Sequence, residues 1–439
     1  MTDIKDDMIP NIPDEWDIVP LRYSVSSVET GDRDSSFTPS KEDPGVLSIG
    51  GEHFDWDGTW KLESPRYIGT EMYQNMKQGK LERGDTLLVK DGATIGKVAY
   101  VNQIPEDRAA ANSHVYVIKP SEDLKGRLLA YQLQSYWGQS QLQLYIRGSA
   151  QAGLPSTFSG ELLMILPPSD IQSEIVSYLN HHVGEINSLI RKKEDLLELL
   201  EEKRKALIIK TTTKGLDEQT LFKDSGIPTI GKIPAHWDVV PNRAIFEEID
   251  DRSKDGSEEL LSVSHKTGVT PRSEKDVNMF KADSLEDYKI AQKGDFVINT
   301  MWAWMGAVGI SPQLGVVSPS YHVYRPNSLM DNEFIDYFYR TDPYITEMGR
   351  YSKGVWKSRS RLYPDEFLRM ETILPPVSEQ KAIANEIQEI TEDMEQMAEK
   401  LQESIGLLKE KRQAIITETI TGQVDISDWE ATKEQEVTP

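Results

Sequence analysis

Two stretches of this chain place apolar or seam-compatible residues at alternating steps of three and four. The first runs Val176, Leu179, Val183, Ile186, Ile190, Lys193, Leu197, Leu200, Arg204, Leu207. The second runs Ile383, Ile387, Ile390, Met394, Met397, Leu401, Ser404, Leu408, Lys411, Ile415. Sustained spacing of this kind draws a stripe along one helix face and predicts a coiled coil. Each stretch covers roughly 45 residues, or about 65 Å at 1.5 Å per residue. Within one chain the natural partners are these two helices. Ile175, Leu189, Leu196 and Leu199 widen the first stripe beyond a two-helix seam and suggest further partner helices. Leu-Pro-Pro precedes each helix. Ser169 with Gln172 reads as a capping box, whereas Ser378 has Lys381 three residues on.

The pattern elsewhere changes to short apolar runs between Gly, Asp, Asn and Pro. Gly45–Ile49, Thr86–Val89, Lys97–Val101 and Val115–Ile118 read as strands, and Leu128–Leu144 as helix. The second half repeats this with strands at Leu260–Val263, Asp295–Asn299, Ala307–Ile310 and His322–Tyr324, then a helix at Asn332–Tyr339. The fold class is α+β, with two similar mixed globular parts. The boundaries expected are 1–167, a helix and linker at 168–222, a second globular part at 223–375, and a helix with an acidic tail at 376–439.

The chain is a tandem repeat. IPDEWDIVPLR at Ile12–Arg22 returns as IPAHWDVVPNR at Ile233–Arg243, 221 residues on. ILPPSDIQSEI at Ile165–Ile175 returns as ILPPVSEQKAI at Ile373–Ile383, and EEKRKALI at Glu201–Ile208 as KEKRQAII at Lys409–Ile416. Both later motifs keep an offset of 208 residues. The globular parts therefore differ by 13 residues in length while the helices keep register. Loops tolerate insertions; a packed helical seam does not.

Composition narrows the function. No cysteine is present, which excludes disulfides, thiolate catalysis and cysteine-ligated zinc. No apolar run reaches membrane-spanning length, and the first residues lack a basic-then-apolar secretory pattern. A cytoplasmic, membrane-free protein is expected. Net charge is −23, which by itself argues against phosphate binding. Acids cluster at Glu247–Glu259, where seven occur, and in the tail from Gln423. Arg350–Arg361 (RYSKGVWKSRSR) instead holds five basic residues and no acid. A basic face on an acidic chain is possible, and so is a solvated basic loop.

Catalytic motifs are missing from the sequence. Lys90–Val98 has the wrong glycine spacing for a phosphate loop, and Val98 stands where a metal-binding hydroxyl belongs. The seven histidines show no His-x-x-x-His pattern, so no metal site is expected; His181 and His182 read as seam or solvent residues of the first long helix. Neither a nucleophile elbow nor an Asn/Asp-Pro-Pro-aromatic methylation loop occurs. No enzymatic activity of this chain alone is expected.

The twice-repeated order of IP-x-x-W, Gly-Asp strand, glycine turn, loop before Leu-Pro-Pro, Glu-Gln helix start and KR-x-A-[LI]-I…T-x-G helix end resembles the DNA-specificity subunits of type I restriction–modification enzymes. The resemblance runs from Ile9 to about Asp425. It implies two target-recognition domains, separated by two long helices pairing as an antiparallel coiled coil. Each domain would read one half of an asymmetric bipartite site in double-stranded DNA. Two modification subunits would dock and supply S-adenosylmethionine-dependent methylation. Two restriction subunits would add ATP- and magnesium-dependent translocation and cleavage. Loop placement and side-chain chemistry then nominate DNA contacts: Ser48, His53, Lys90, Thr94, Arg147, Ser149 and Gln151 in the first domain. In the second they are Ser262, Ser264, Lys266, Trp302, Lys353, Lys357, Arg359 and Arg361. Arg and Lys hold phosphates or guanine edges, and Gln suits adenine. The competing reading is a non-catalytic coiled-coil scaffold with two protein-binding heads.

Overall fold

Of the apolar runs that read as strands in the sequence, those at 86–89, 115–118, 295–299 and 322–324 become the inner strands of two similar four-stranded sheets. The computed structural model describes residues 10–32, 37–148, 152–274, 284–354, 360–427 and 429. Contacts divide the chain into one unit of residues 1–193 with 403–439 and a second of residues 194–402. This division cuts through both long helices. Each unit contains the start of one helix and the end of the other.

Unit 1 contains β1 (Asp17–Pro20), β2 (Val25–Thr30), β3 (Val46–Ile49), β4 (Arg66–Ile68) and α1 (Thr70–Asn75). These are followed by β5 (Thr86–Val89), β6 (Val98–Tyr100), β7 (Ala109–Ala111) and β8 (Val115–Pro120). Then come α2 (Gly126–Gln134), α3 (Tyr136–Tyr145), β9 (Leu163–Leu166) and the first long helix, α4 (Ser169–Lys214). The main sheet has the order β2-β8-β5-β6, and Leu87 pairs with Val117 and with Ala99. All four residues of β5 are buried. Alternation explains this: Leu88, Tyr116 and Ile118 face α2 and α4, while Leu87, Val89 and Val117 face the β4-β3-β7 sheet. A strand covered on both faces reads as a continuous apolar run.

Unit 2 repeats the plan. It holds β10 (Phe222–Asp224), β11 (Lys232–Pro234), β12 (Asp238–Pro241), β13 (Phe246–Ile249), β14 (Leu261–Ser264) and β15 (Gly268–Pro271). Next are β16 (Lys289–Ala291), β17 (Phe296–Ile298), β18 (Val308–Ile310), β19 (Gly315–Val317) and β20 (His322–Pro326). It continues with α5 (Asn332–Tyr339), α6 (Asp342–Tyr351), α7 (Pro364–Arg369), β21 (Glu371–Leu374) and the second long helix, α8 (Val377–Ile420). The sheet order β13-β20-β17-β18 matches that of unit 1. The long interlude expected at Leu128–Leu144 is two helices in fact. They break at Ser135, whose Oγ accepts from the Gly138 N–H and so caps α3.

The repeated motifs meet in space. β1 pairs antiparallel with β9, setting Ile18 opposite Ile165, and β12 pairs with β21, setting Val239 opposite Ile373. The IP-x-x-W segment and the Leu-Pro-Pro segment of each repeat are thus one two-stranded ribbon. Helix ends are equally matched. Gly215 and Gly422 both adopt φ of +72°, the left-handed conformation that ends a helix. A Cβ at Gly215 would press on Trp237, and one at Gly422 on Pro13 and Trp16.

The capping box expected at Ser169 and Gln172 does not form. Gln172 is buried instead, donating to the Asp123 and Pro167 carbonyls and accepting from the Lys125 N–H. Gln380, 208 residues on, does the same with Leu329, Pro375 and the Asp331 N–H. A buried amide that satisfies three backbone groups serves better here than a local cap, because it ties the helix start to the turn beneath it. Asp85 and Asp295 are a second matched pair. Each accepts from a backbone N–H three residues back and meets a cation, Lys119 or Arg325. Burial pushes the Asp85 carboxyl up, opposed by the Glu82 N–H and Lys119.

The long helices reach 46 and 44 residues. In unit 1 Leu179 and Val183 share a core cluster with Ile416 and Ile420, and Arg412 donates to Asn187 at 2.7 Å. In unit 2 Arg204 meets Glu395, and Ile208 packs on the cluster holding Ile383 and Ile387. Within each unit the two segments run antiparallel. On α4 Leu179, Val183, Ile186 and Ile190 are buried, and Val176, Leu197, Leu200 and Leu207 half-buried. On α8 Ile383, Ile387 and Met394 are buried, with Ile390, Leu401, Leu408 and Ile415 half-buried. Met397, however, is 55% exposed and leaves the seam. The inward row is Met394, Ala398, Leu401, Ile405, Leu408, Arg412, so Ser404 and Lys411 were each one residue early. Both choices keep a seven-residue period; small Ala398 was passed over for larger Met397. Of the added apolar positions, Ile175 enters the core while Leu189, Leu196 and Leu199 stay exposed.

Two outcomes follow. Gln172→Leu and Gln380→Leu should each destabilise the protein by about 2–4 kcal/mol in denaturant titration, because buried backbone groups lose their partners. Ile405→Ala should cost about 2–4 kcal/mol, whereas Met397→Ala should cost less than about 0.5 kcal/mol. Equal losses at both positions would contradict the seam register.

Candidate nucleic-acid interface

Each unit carries a loop between its second short helix and the strand that precedes Leu-Pro-Pro. Its base is closed in the same way in both units. The Arg147 N–H donates to the Gly153 carbonyl at 3.0 Å, and the Gly153 N–H returns to Arg147 at 2.9 Å. Lys353 and Arg361 exchange the same two bonds, both at 2.9 Å. A pinned base holds a loop in place while leaving its residues free to vary. The candidates Ser149, Gln151, Lys357 and Arg359 lie beyond these bases, outside the described residues.

In unit 1 the loop base borders a polar cleft of about 870 Å³. Its walls include Glu52, Arg66, Asp91, Thr94, Asn112 and His114. Thr94 is where the sequence placed a contact. Arg147 is exposed beside the cleft's Gly153 edge, and Lys90 is half-buried with its ammonium 5.4 Å from the Tyr116 ring centre. Ser48 and His53 are corrected. Ser48 is buried in β3, and His53 is buried with Nδ1 accepting from the Gly50 N–H and Nε2 3.3 Å from the Ser64 carbonyl. Both belong to the scaffold under the cleft, since neither side chain reaches solvent.

Arg66, Asn112 and His114 escaped the sequence reading. Arg66 sits 3.2 Å from Glu52, and the His114 Nδ1 is 2.5 Å from Asp91. The Asn112 Oδ1 accepts from the His114 N–H. Asn112-Ser-His114 is a polar break between two apolar strands, which is the signal that could have flagged it. The turn between β5 and β6 is no phosphate cradle: Lys97 is buried and donates to the Gly51 and Phe54 carbonyls.

Unit 2 fills the same frame with different chemistry. Trp302 is 49% exposed at the turn before β18, with its ring 6.3 Å from that of His265. Lys266 is exposed on the β14–β15 turn, where Ser264 Oγ accepts from the Lys266 and Thr267 N–H groups. Ser262 is half-buried within β14. The basic run is less free than it reads. Arg350 ends α6 and pairs with Glu347 at 2.8 Å, and Lys353 pairs with Glu366 at 2.5 Å. Lys353 holds the Glu366 carboxyl below its usual range. Acids just outside the basic run thus offset part of the positive charge, while Arg361 stays exposed.

This arrangement agrees with what known proteins show. Residues 13–199 match the family described as "Type I restriction modification DNA specificity domain". The stretch covers the first globular part, its Leu-Pro-Pro and most of α4. The chain is 23% identical over 432 residues to a protein of Methanocaldococcus jannaschii described as the type I restriction enzyme MjaX specificity subunit. That alignment covers 95% of this chain and 96% of the relative. The fold matches, with a TM-score of 0.67 and 18% identity, a solved chain from work on complex assembly and conformational transition of the type I R-M system. The match covers 94% of this chain and 99% of that one. Among the described residues no helix is long and apolar enough to cross a membrane.

Scaffold and surface positions should separate on mutation. Arg66→Ala is expected to leave the melting temperature unchanged and to weaken DNA binding about tenfold, the scale of one lost contact. His53→Ala should lower stability by about 1–3 kcal/mol by stranding its buried partners. Thermal melts with fluorescence anisotropy on the methylated site's sequence make the comparison. A destabilised Arg66→Ala with unchanged affinity would move Arg66 into the scaffold.

Proposed function

We propose that this chain is the specificity subunit of a type I restriction–modification complex and reads an asymmetric bipartite site in duplex DNA. Unit 1 reads one half-site and unit 2 the other. The observation that carries this is the shared frame with unlike surfaces. The two sheets have one strand order and the two loops one closed base, yet Arg66, Asn112 and His114 line the cleft of unit 1 while Trp302, Lys266 and Arg361 are exposed in unit 2. Identical frames with different side chains suit two different half-sites better than a palindrome.

The long helices act as the spacer that sets the unread gap, and their repeated faces dock two modification subunits. Methyl transfer with S-adenosylmethionine belongs to those subunits. Two restriction subunits, with ATP and magnesium, supply translocation and cleavage. The specificity chain catalyses no step and works in the cytoplasm. Its net charge of −23 leaves phosphate contacts to local cations and to the partner subunits.

Co-expression with a type I modification subunit, followed by methylome sequencing, tests the reading. The expected result is one methylated motif of two unlike half-sites separated by a fixed gap. A palindromic motif would overturn the division of labour, and unmodified DNA would overturn the function.

A further inference from the structure

The cluster on α4 that the sequence assigned to seam or solvent has a different character in the fold. His181 and Glu185 are four residues apart, and His182 and Glu185 three, so all three share one helix face. The His181 Nε2 lies 3.5 Å from Glu185 Oε2, and the His182 Nδ1 lies 3.7 Å from the same oxygen. All three donor atoms fall within 4.8 Å of one another. A point equidistant from them is no more than about 2.4 Å from each, and a zinc–imidazole bond needs about 2.0–2.1 Å. Side-chain movements of a few tenths of an ångström close the difference.

We propose that His181, His182 and Glu185 bind a single divalent transition-metal ion beside the Trp429 ring. Two imidazoles and one carboxylate select the zinc, nickel and copper class over magnesium or calcium, which prefer oxygen donors. The charged or titratable groups acting on His182 are His181, Glu185 and Lys411. Lys411 is an adverse charge and limits affinity. Trp429 closes one side: its ring lies 5.1 Å from both imidazoles and 5.3 Å from Tyr178. Its Nε1 is buried with no hydrogen-bond partner among the described residues. Glu185 is exposed, so water can complete the shell. The site lies wholly within unit 1 and stands apart from the DNA reading.

The test uses the full chain, stripped with a chelator and titrated with Ni²⁺ or Cu²⁺ alone. Calorimetry should show one equivalent bound at micromolar affinity, weakening at least tenfold from pH 7 to 5.5 as protons compete. Either ion should quench a share of the fluorescence of the nine tryptophans that Trp429→Phe lacks. His181→Ala/His182→Ala should abolish the equivalent. Glu185→Gln, an exposed and fold-neutral change, should weaken it about tenfold. Unchanged affinity in Glu185→Gln and in the double variant, or equal quenching in Trp429→Phe, would overturn the site.

Discussion

The packing of each long helix into two different cores is the constraint on which the rest of this protein depends. Ile175, Leu179 and Val183 of α4 lie in the core of unit 1, whereas Ile208 near its other end packs in unit 2. The second helix does the reverse, with Ile383 and Ile387 in unit 2 and Ile416 and Ile420 in unit 1. Neither repeat can complete its core from its own contiguous sequence. An insertion in a helix would rotate every later seam residue, which explains why the helical motifs keep one offset while the globular parts differ in length.

Each unit then solves the same local problems with equivalent residues. A glutamine fastens the start of the helix, an aspartate with a cation braces the sheet, and a glycine in the left-handed region ends the helix against tryptophan. These are buried, directional interactions, and replacing one partner strands the other. Stability therefore restrains the frame, and the surface at the mouth of the loops is available to change.

Strand positions were legible because a doubly covered strand is apolar throughout and punctuated by Gly, Asp and Pro. The candidate surface was legible only in part. Thr94 lines the cleft, but Ser48 and His53, polar and adjacent to loops, are buried. Polarity marks a residue that needs partners; whether those partners are backbone groups or a ligand depends on the direction of the side chain. Lys353 makes the same point, since Glu366 of α7 reaches it through the fold.

The sequence by itself determined the duplication, the strands, the two long helices and the family to which residues 13–199 answer, because each of these is written in local periodicity or in motif order. Tertiary structure decided the rest. It chose Ala398 and Ile405 over Met397 and Ser404, since a seven-residue period alone leaves one of two rows undetermined. It drew Gln172 and Gln380 away from local caps into buried bonds with distant turns. It also gathered Arg66 of β4, Thr94 of the β5–β6 turn, and Asn112 and His114 of the β7–β8 turn around one cleft. Long-range packing sets these choices, and it depends on pairs of residues that no single stretch of the chain contains.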